Sequence, residues 1–270
     1  MRGQVTANRG LGHGYFCIAV EAEGLRPTFR PGQFFMLRVE NGSDPLLPRA
    51  YSIYRMSRGR RGRGARVDFL YKIVGRGTAQ LSRLQAGAAL DLLGPLGNEF
   101  TVPPGTTELL LVAGGIGVPP VIALAEALAA RRRNGHGGRS QRPAMVAFLG
   151  GRSKDDILCA ADFRRAGARL SVATEDGSAG RRGLVTDLLE LHLRDLDAGA
   201  VGVEDALQQN SRVALYRAPR LGQGRLDVDA PDDLPERALR RGLDRQLRLA
   251  DVEQEISGVV DLPQHRDVDI

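Results

Sequence analysis

"LLLVAGGIGVPPVIAL", residues 109–124, decides the fold. An apolar run ends in Gly114-Gly115-Ile116-Gly117, and Pro119 and Pro120 follow at once. A continuous apolar run suits a strand buried on both faces of a parallel sheet. Glycines permit a tight turn and close approach of the backbone, and proline is favoured in the first turn of a helix. The stretch therefore predicts a strand over 108–114, a glycine turn, and a helix over 119–133. The arginines that close this helix suit the negative end of its dipole. A helix N-terminus offers unpaired N–H groups and partial positive charge, which suit a pyrophosphate. Gly114, Gly115 and Gly117 are thus candidates for nucleotide contact. The pattern is G-G-x-G-x-P-P, which differs from the G-x-G-x-x-G fingerprint, so a turn that holds no ligand is the competing reading.

Strands and helices alternate downstream. "AMVAFLGG" (144–151), "RLSVAT" (169–174) and "RVALY" (212–216) read as strands. Ser153 reads as the N-cap of a helix reaching residue 165, and 184–195 reads as a further helix. Such alternation implies right-handed crossovers and a parallel sheet. Ligands of open α/β sheets bind at the carboxyl ends of the strands. Glu175 and Asp176, straight after the third strand, are candidates for a ribose hydroxyl. Arg181 and Arg182 offer the alternative of a 2′-phosphate, and a polar loop without ligand is the third reading.

Upstream of Pro103-Pro104-Gly105 the chain reads as β. Runs at 14–22, 32–40, 49–56, 66–75 and 89–97 are separated by turn residues, as in a barrel or sandwich. A short helix is expected over 78–84. Within 49–56, Arg49, Tyr51 and Ile53 alternate and would share one face of a strand. A cation, a flat ring and an apolar residue in line suit a ligand that is anionic at one end and planar at the other. A strand with Tyr51 packed in the core is the plainer reading. "YKIVGRGTAQLS" places Gly75, Gly77 and Thr78 before the short helix, a second candidate anion site.

The 270 residues allow two domains, and 42% hydrophobic content allows a sizeable core. The expected organisation is a β-barrel over 1–102, an α/β domain over 103–216 and an atypical tail over 217–270. The net charge of +6 is carried mostly by arginine, with Lys72 and Lys154 as the lysines. The densest run, "SRGRRGRGAR" (57–66), reads as a solvated hairpin loop. It has no interleaved aromatics for base stacking, so nucleic acid is not an expected partner. Cys17 and Cys159 form no disulfide framework, and His13, His136, His192 and His265 are scattered, so no metal site is expected. No apolar run approaches the ~20 residues of a membrane span, and the first residues lack a signal-peptide core. The expected location is cytoplasmic.

Together these segments resemble the ferredoxin–NADP reductase superfamily. Arg49-Ala50-Tyr51-Ser52 is similar to its R-x-Y-S flavin motif, Gly77-Thr78 to its flavin phosphate turn, "GPLGNEF" (94–100) to its closing barrel segment, and Gly114–Pro119 to its nicotinamide motif. With "PGQFF" (31–35) and "TEDGSAGRRGLVTDLL" (174–189), the resemblance is to the electron-transfer subunit of NAD-dependent dihydroorotate dehydrogenase, over residues 1–216. The resemblance implies an FAD-binding barrel followed by an NAD(P)-binding domain. It implies hydride transfer from NADH to flavin N5, with electrons passed to a dihydroorotate dehydrogenase catalytic subunit in pyrimidine biosynthesis. Arg49 would contact the FAD pyrophosphate. Tyr51 would pack on the flavin and Ser52 would lie near its N5 edge, making these two the residues at the reacting atoms. Ile53, Leu70, Tyr71, Lys72, Gly77 and Thr78 would line the cofactor. Glu175 and Asp176 would favour NADH over NADPH.

The resemblance stops in the tail. The family carries a [2Fe–2S] cluster, which needs four thiolates, or two with histidines; here no cysteine follows Cys159. "ALYRAPRLGQG" (214–224) stands where a Tyr-x-Cys-Gly-Pro turn is expected. Loss of all these features together reads as a frameshift in the coding sequence; the rival is a replacement helix through Leu239, Leu243 and Leu247. Two other functions remain open: a self-contained NAD(P)H–flavin reductase with a diffusible acceptor, and an arginine-rich binding protein on a vestigial reductase fold.

Overall fold

The computed structural model describes residues 1–39, 47–60, 64–103, 106–133, 143–199 and 212–217. The expectations for the tail beyond Arg217 lie outside these residues. Seven strands form an antiparallel sheet: β1 (Arg2–Gly12), β2 (Tyr15–Ala22), β3 (Phe34–Val39), β4 (Arg49–Ser52), β5 (Arg55–Arg58), β6 (Ala65–Lys72) and β7 (Ala89–Leu96). Their order is β4-β3-β7-β1-β2-β6-β5. The two edge strands, β4 and β5, are separated in the chain by Ile53 and Tyr54 alone. The Ile53 N–H donates to the Gln33 carbonyl at 3.1 Å, and the Tyr54 N–H to the Asp68 carbonyl at 3.0 Å. The chain thus changes pairing partner in one residue, which curls the sheet into a half-barrel. Inside it pack Val5, Ile18, Phe35, Ile53, Phe69 and Leu92.

This corrects the single strand expected over 49–56. β1 was not expected at all. Of its eleven residues only Gly3 and Val5 are buried, so alternation gives almost no signal. The strand is held by pairing with β2 and β7. Arg58 pairs with Ala65 across the β5–β6 hairpin, so the arginine-rich run does close a hairpin. The short helix, α1, spans Arg76–Ser82, two residues earlier than expected.

The second sheet is parallel: β8 (Thr106–Gly114), β9 (Ala144–Gly151), β10 (Arg169–Thr174), the two-residue β11 (Arg181–Arg182) and β12 (Arg212–Arg217), in the order β11-β10-β9-β8-β12. The helices are α2 (Val118–Arg133), α3 (Ala160–Arg165) and α4 (Val185–Gly199). Side-chain alternation along β8 sorts them. Leu109, Leu111 and Ala113 pack with Val121, Ile122 and Phe163 of α2 and α3. Leu110 and Val112 pack with Val185, Leu188 and Leu189 of α4. Burying each such leucine contributes about 1.5–3 kcal/mol. β12 pairs with β8, so the sheet extends to the last residues before the tail.

Ser153 does cap, but it caps a single 3₁₀ turn, Lys154–Asp156, by accepting from the Asp155 N–H. The chain then extends at Ile157, so that Ile157 and Leu158 reach the core beside α2. Cys159, expected within a helix, precedes α3 in the left-handed region with φ 59°. Both sheets belong to one compact unit. Arg55 of β5 pairs with Glu126 of α2 and, at 3.0 Å, with Asp162 of α3.

Candidate functional site

The first cluster lies at β4 and α1. The Arg49 side chain lies against Gly77: a Cβ added at Gly77 would stand 2.6 Å from the Arg49 Cζ. Its Nη1 donates to the Leu47 carbonyl at 3.1 Å. A side chain at residue 77 would push the guanidinium out of this position. Thr78 Oγ1 accepts from the N–H groups of Val74 (2.9 Å) and Gly75 (3.2 Å) and donates to the Gly75 carbonyl (3.0 Å). The threonine hydroxyl therefore fastens the turn, and a ligand at this turn meets Arg49 and the backbone.

Tyr51 lines the same shallow pocket as Arg49 and Gly77. Its ring stands edge-on to Phe69 at 6.4 Å and to Tyr71 at 6.2 Å. Burial pushes its hydroxyl pKa up, and Arg49 opposes that shift. Tyr71 stacks on Phe16 at 5.5 Å and donates to the Asn8 side chain at 3.0 Å. Asn8 donates in turn to the Leu81 and Leu84 carbonyls at the end of α1. Asn8 was missed because it lies on the unrecognised β1. Ser52 is half-buried and pairs with Phe34.

Ile53 and Leu70, expected to line the cofactor, do not line the pocket of Arg49, Tyr51 and Gly77. Ile53 is 1% exposed inside the barrel, past the end of β4, so it does not share an open face with Arg49 and Tyr51. Leu70 points to the other side of β6 and packs with Tyr54 and the core of the parallel sheet.

The second cluster is the glycine turn. Gly114 is extended at the end of β8, and Gly115, at φ 49°, takes the left-handed region that glycine tolerates. A 3₁₀ turn, Gly115–Gly117, runs straight into α2, one residue earlier than expected. A Cβ at Gly115 would meet the Tyr15 hydroxyl at 3.3 Å. That hydroxyl donates to Asp156 Oδ1 at 2.6 Å. Lys72 Nζ donates to the same oxygen at 2.9 Å and to the Tyr15 hydroxyl at 3.1 Å, and lies 4.4 Å above the Tyr15 ring. Burial alone would raise the Asp156 pKa; the bonds from Tyr15 and Lys72 outweigh it and hold the carboxyl at about 2. The bond to Asp156 in turn raises the Lys72 ammonium pKa. Lys72, expected at the cofactor, is thus committed to an ion pair between the two sheets. Tyr15 and Asp156 carried no recognisable motif.

The third cluster follows β10, at the same sheet edge as the glycine turn. The Glu175 N–H donates to the Gly151 carbonyl at 3.1 Å, and the Glu175 side chain is exposed. The Asp176 carboxylate accepts from the Ser178 hydroxyl (2.7 Å) and N–H (2.9 Å), and these bonds hold its pKa down. Arg181 and Arg182 are exposed on β11, and the Arg182 side chain lies against Gly177.

Among the described residues no cluster of three or more His, Cys, Asp or Glu is placed to hold a metal. Burial pushes both thiols up, Cys159 to about 11. With two cysteines in 270 residues, this chain lacks the four thiolates of an all-cysteine [2Fe–2S] centre.

Comparison with known proteins adds the family. No family model matches the chain. The dihydroorotate dehydrogenase B (NAD(+)) electron transfer subunit of Bacillus velezensis is 32% identical over 230 residues, covering 82% of this chain and 84% of that protein. Its counterpart from Geobacillus kaustophilus is 36% identical over 195 residues, covering 72% and 70%. The chain belongs to this family. The Desulforamulus reducens subunit is 35% identical over 163 residues, and this chain spans 57% of its length. A ferredoxin NADP+ reductase from Neisseria gonorrhoeae with bound FAD and NADP superposes with TM-score 0.55 at 17% identity, covering 81% of this chain and 85% of that one. An NADH-dependent reduced ferredoxin–NADP oxidoreductase superposes with TM-score 0.56 at 24% identity, covering 71% and 63%. The chain thus has a ferredoxin-reductase-like fold, a curled antiparallel sheet followed by a parallel one.

Proposed function

We propose that this chain is an FAD-dependent subunit that oxidises NADH and passes the electrons to a dihydroorotate dehydrogenase catalytic subunit. The observation that carries the reading is the placement of Arg49 against Gly77, with Tyr51 in the same pocket. A fixed cation at a glycine turn, beside an aromatic ring, fits a dinucleotide with a planar end. FAD, when bound, accepts two electrons together and releases them singly, which is chemistry no side chain here supplies. In this reading Arg49 and the Gly77 backbone hold the pyrophosphate, Thr78 keeps the turn closed, and Tyr51 and Ser52 orient the ring system. Tyr71 supports Tyr51 from behind. Gly114, Gly115 and Gly117 admit the pyrophosphate of NADH to the start of α2, and Glu175 accepts from a ribose hydroxyl.

The barrel is assigned to 1–102 and the nucleotide domain to 103–216. Among the described residues no helix is long and apolar enough to cross a membrane, and we place the protein in the cytoplasm. Several barrel arginines are paired with acids, among them Arg30 with Glu99, Arg38 with Asp91 and Arg66 with Asp68. That pairing weighs against a nucleic-acid surface. The cysteine count favours a second reading, a self-contained NAD(P)H–flavin reductase that uses a diffusible acceptor. Co-expression with the catalytic subunit separates the two. A stable complex that reduces NAD(+) with dihydroorotate supports the first; free monomeric reductase activity with no complex supports the second.

A further inference from the structure

The Tyr15–Lys72–Asp156 cluster joins three elements. Tyr15 opens β2 and Lys72 closes β6, and the two are cross-strand partners at one end of the barrel. Asp156 lies in the 3₁₀ turn after β9, in the parallel sheet's half of the molecule. Its carboxylate is fixed from both sides. Oδ1 takes the tyrosine hydroxyl and the lysine ammonium; Oδ2 takes the backbone N–H groups of Arg152 (3.2 Å) and Ser153 (3.4 Å). The side chains of Lys72 and Asp156 are 34% and 14% exposed, so this pair is better shielded from water than a surface ion pair.

The cluster lies beside one turn assigned to cofactors and leads along the chain into the other. The Tyr15 hydroxyl is the nearest group to a side chain added at Gly115. Lys72 is followed directly by Ile73, whose N–H donates to the Gly14 carbonyl at 2.8 Å, and then by the Gly75–Thr78 turn. One carboxylate thus ties together the segments that lead to the two turns.

We propose that Tyr15, Lys72 and Asp156 are positioning residues for hydride transfer: they hold the glycine turn of the parallel sheet at a fixed distance from the barrel turn that carries the flavin. This rests on the proposed NADH–flavin reading. None of the three touches a reacting atom in it; they act through the backbone segments they hold. Hydride transfer is sensitive to such placement, because reacting atoms must lie about 3–3.5 Å apart and a 1 Å error costs about 100-fold in rate.

The test uses full-length protein. Anaerobic flavin reduction is followed at saturating NADH for the parent, Asp156→Ala, Lys72→Met and Lys72→Arg, with FAD content read from the absorption spectrum. The expected result is FAD content and NADH affinity within about 3-fold of the parent, a reduction rate lower by ~10- to 100-fold in Asp156→Ala and Lys72→Met, and recovery in Lys72→Arg. A second readout needs no cofactor. In FAD-free protein, urea unfolding of the two single variants and the double variant should be non-additive, with the double little worse than Asp156→Ala alone. Unchanged reduction rates with FAD retained, or additive unfolding, overturn the positioning role. A parent that binds FAD but is not reduced by NADH overturns the functional reading, and the positioning role with it.

Discussion

The guanidinium of Arg49 occupies the space that a side chain at Gly77 would need, 2.6 Å from the built Cβ. The pair links the edge strand β4 to the start of α1, two elements well apart in sequence. Truncation to Arg49→Ala removes a charge-assisted contact of about 1.5–3 kcal/mol, so FAD affinity should fall by roughly 10- to 100-fold with little loss of fold stability. Gly77→Ala should displace the flexible arginine and lower FAD affinity in the same direction. Fluorescence titration of FAD into apoprotein measures both, and unchanged affinity in both would reduce the motif to a barrel strand.

Gly115→Ala should act on the other nucleotide. The residue sits at φ 49°, and its new methyl would press on the Tyr15 hydroxyl. Left-handed backbone costs an L-residue about 1–2 kcal/mol. KM for NADH should rise while FAD content stays at the parent level, as steady-state kinetics and an absorption spectrum would show. Loss of FAD instead would place the flavin at this turn.

Asp156 gives the pH dependence. Its carboxyl pKa is held at about 2 by Tyr15 and Lys72, with His13 pairing with its neighbour Asp155. A depressed pKa contributes stability above the ordinary carboxylate range and loses it as pH falls towards the folded value. The melting-temperature gap between the parent and Asp156→Asn should be full near pH 6 and shrink below about pH 4. A gap that stays constant with pH would mean the ion pair contributes nothing.

NADH should be preferred over NADPH. Glu175 is exposed at the end of β10 and would repel a 2′-phosphate, while the Asp176 carboxylate is engaged by Ser178. Comparison of kcat/KM for both nucleotides should show the preference, and Glu175→Ala should narrow it. A higher kcat/KM with NADPH would assign that role to Arg181 or Arg182.

The parallel half was legible because β8 and β9 are apolar runs buried on both faces: β9 and β10 fall within the expected bounds, and β8 starts two residues earlier. β1 was invisible because its outer residues are polar or glycine and its hold comes from pairing partners, which no local pattern reveals. The split of 49–58 into two edge strands was also hidden, since a change of pairing partner leaves the alternation of Arg49, Tyr51 and Ile53 intact. Arg49, Tyr51, Gly77 and the glycine turn lie in local motifs, so the sequence alone singles them out. Tyr15 and Asp156 are 141 positions apart and meet only through the fold.

The most direct test of NADH oxidation through FAD is the absorption spectrum of purified, FAD-supplemented protein before and after anaerobic addition of NADH. The expected result is flavin absorption in the purified protein, no iron–sulfur absorption beyond it, and bleaching on addition of NADH. Protein that emerges without flavin, or flavin that NADH leaves oxidised, would contradict it.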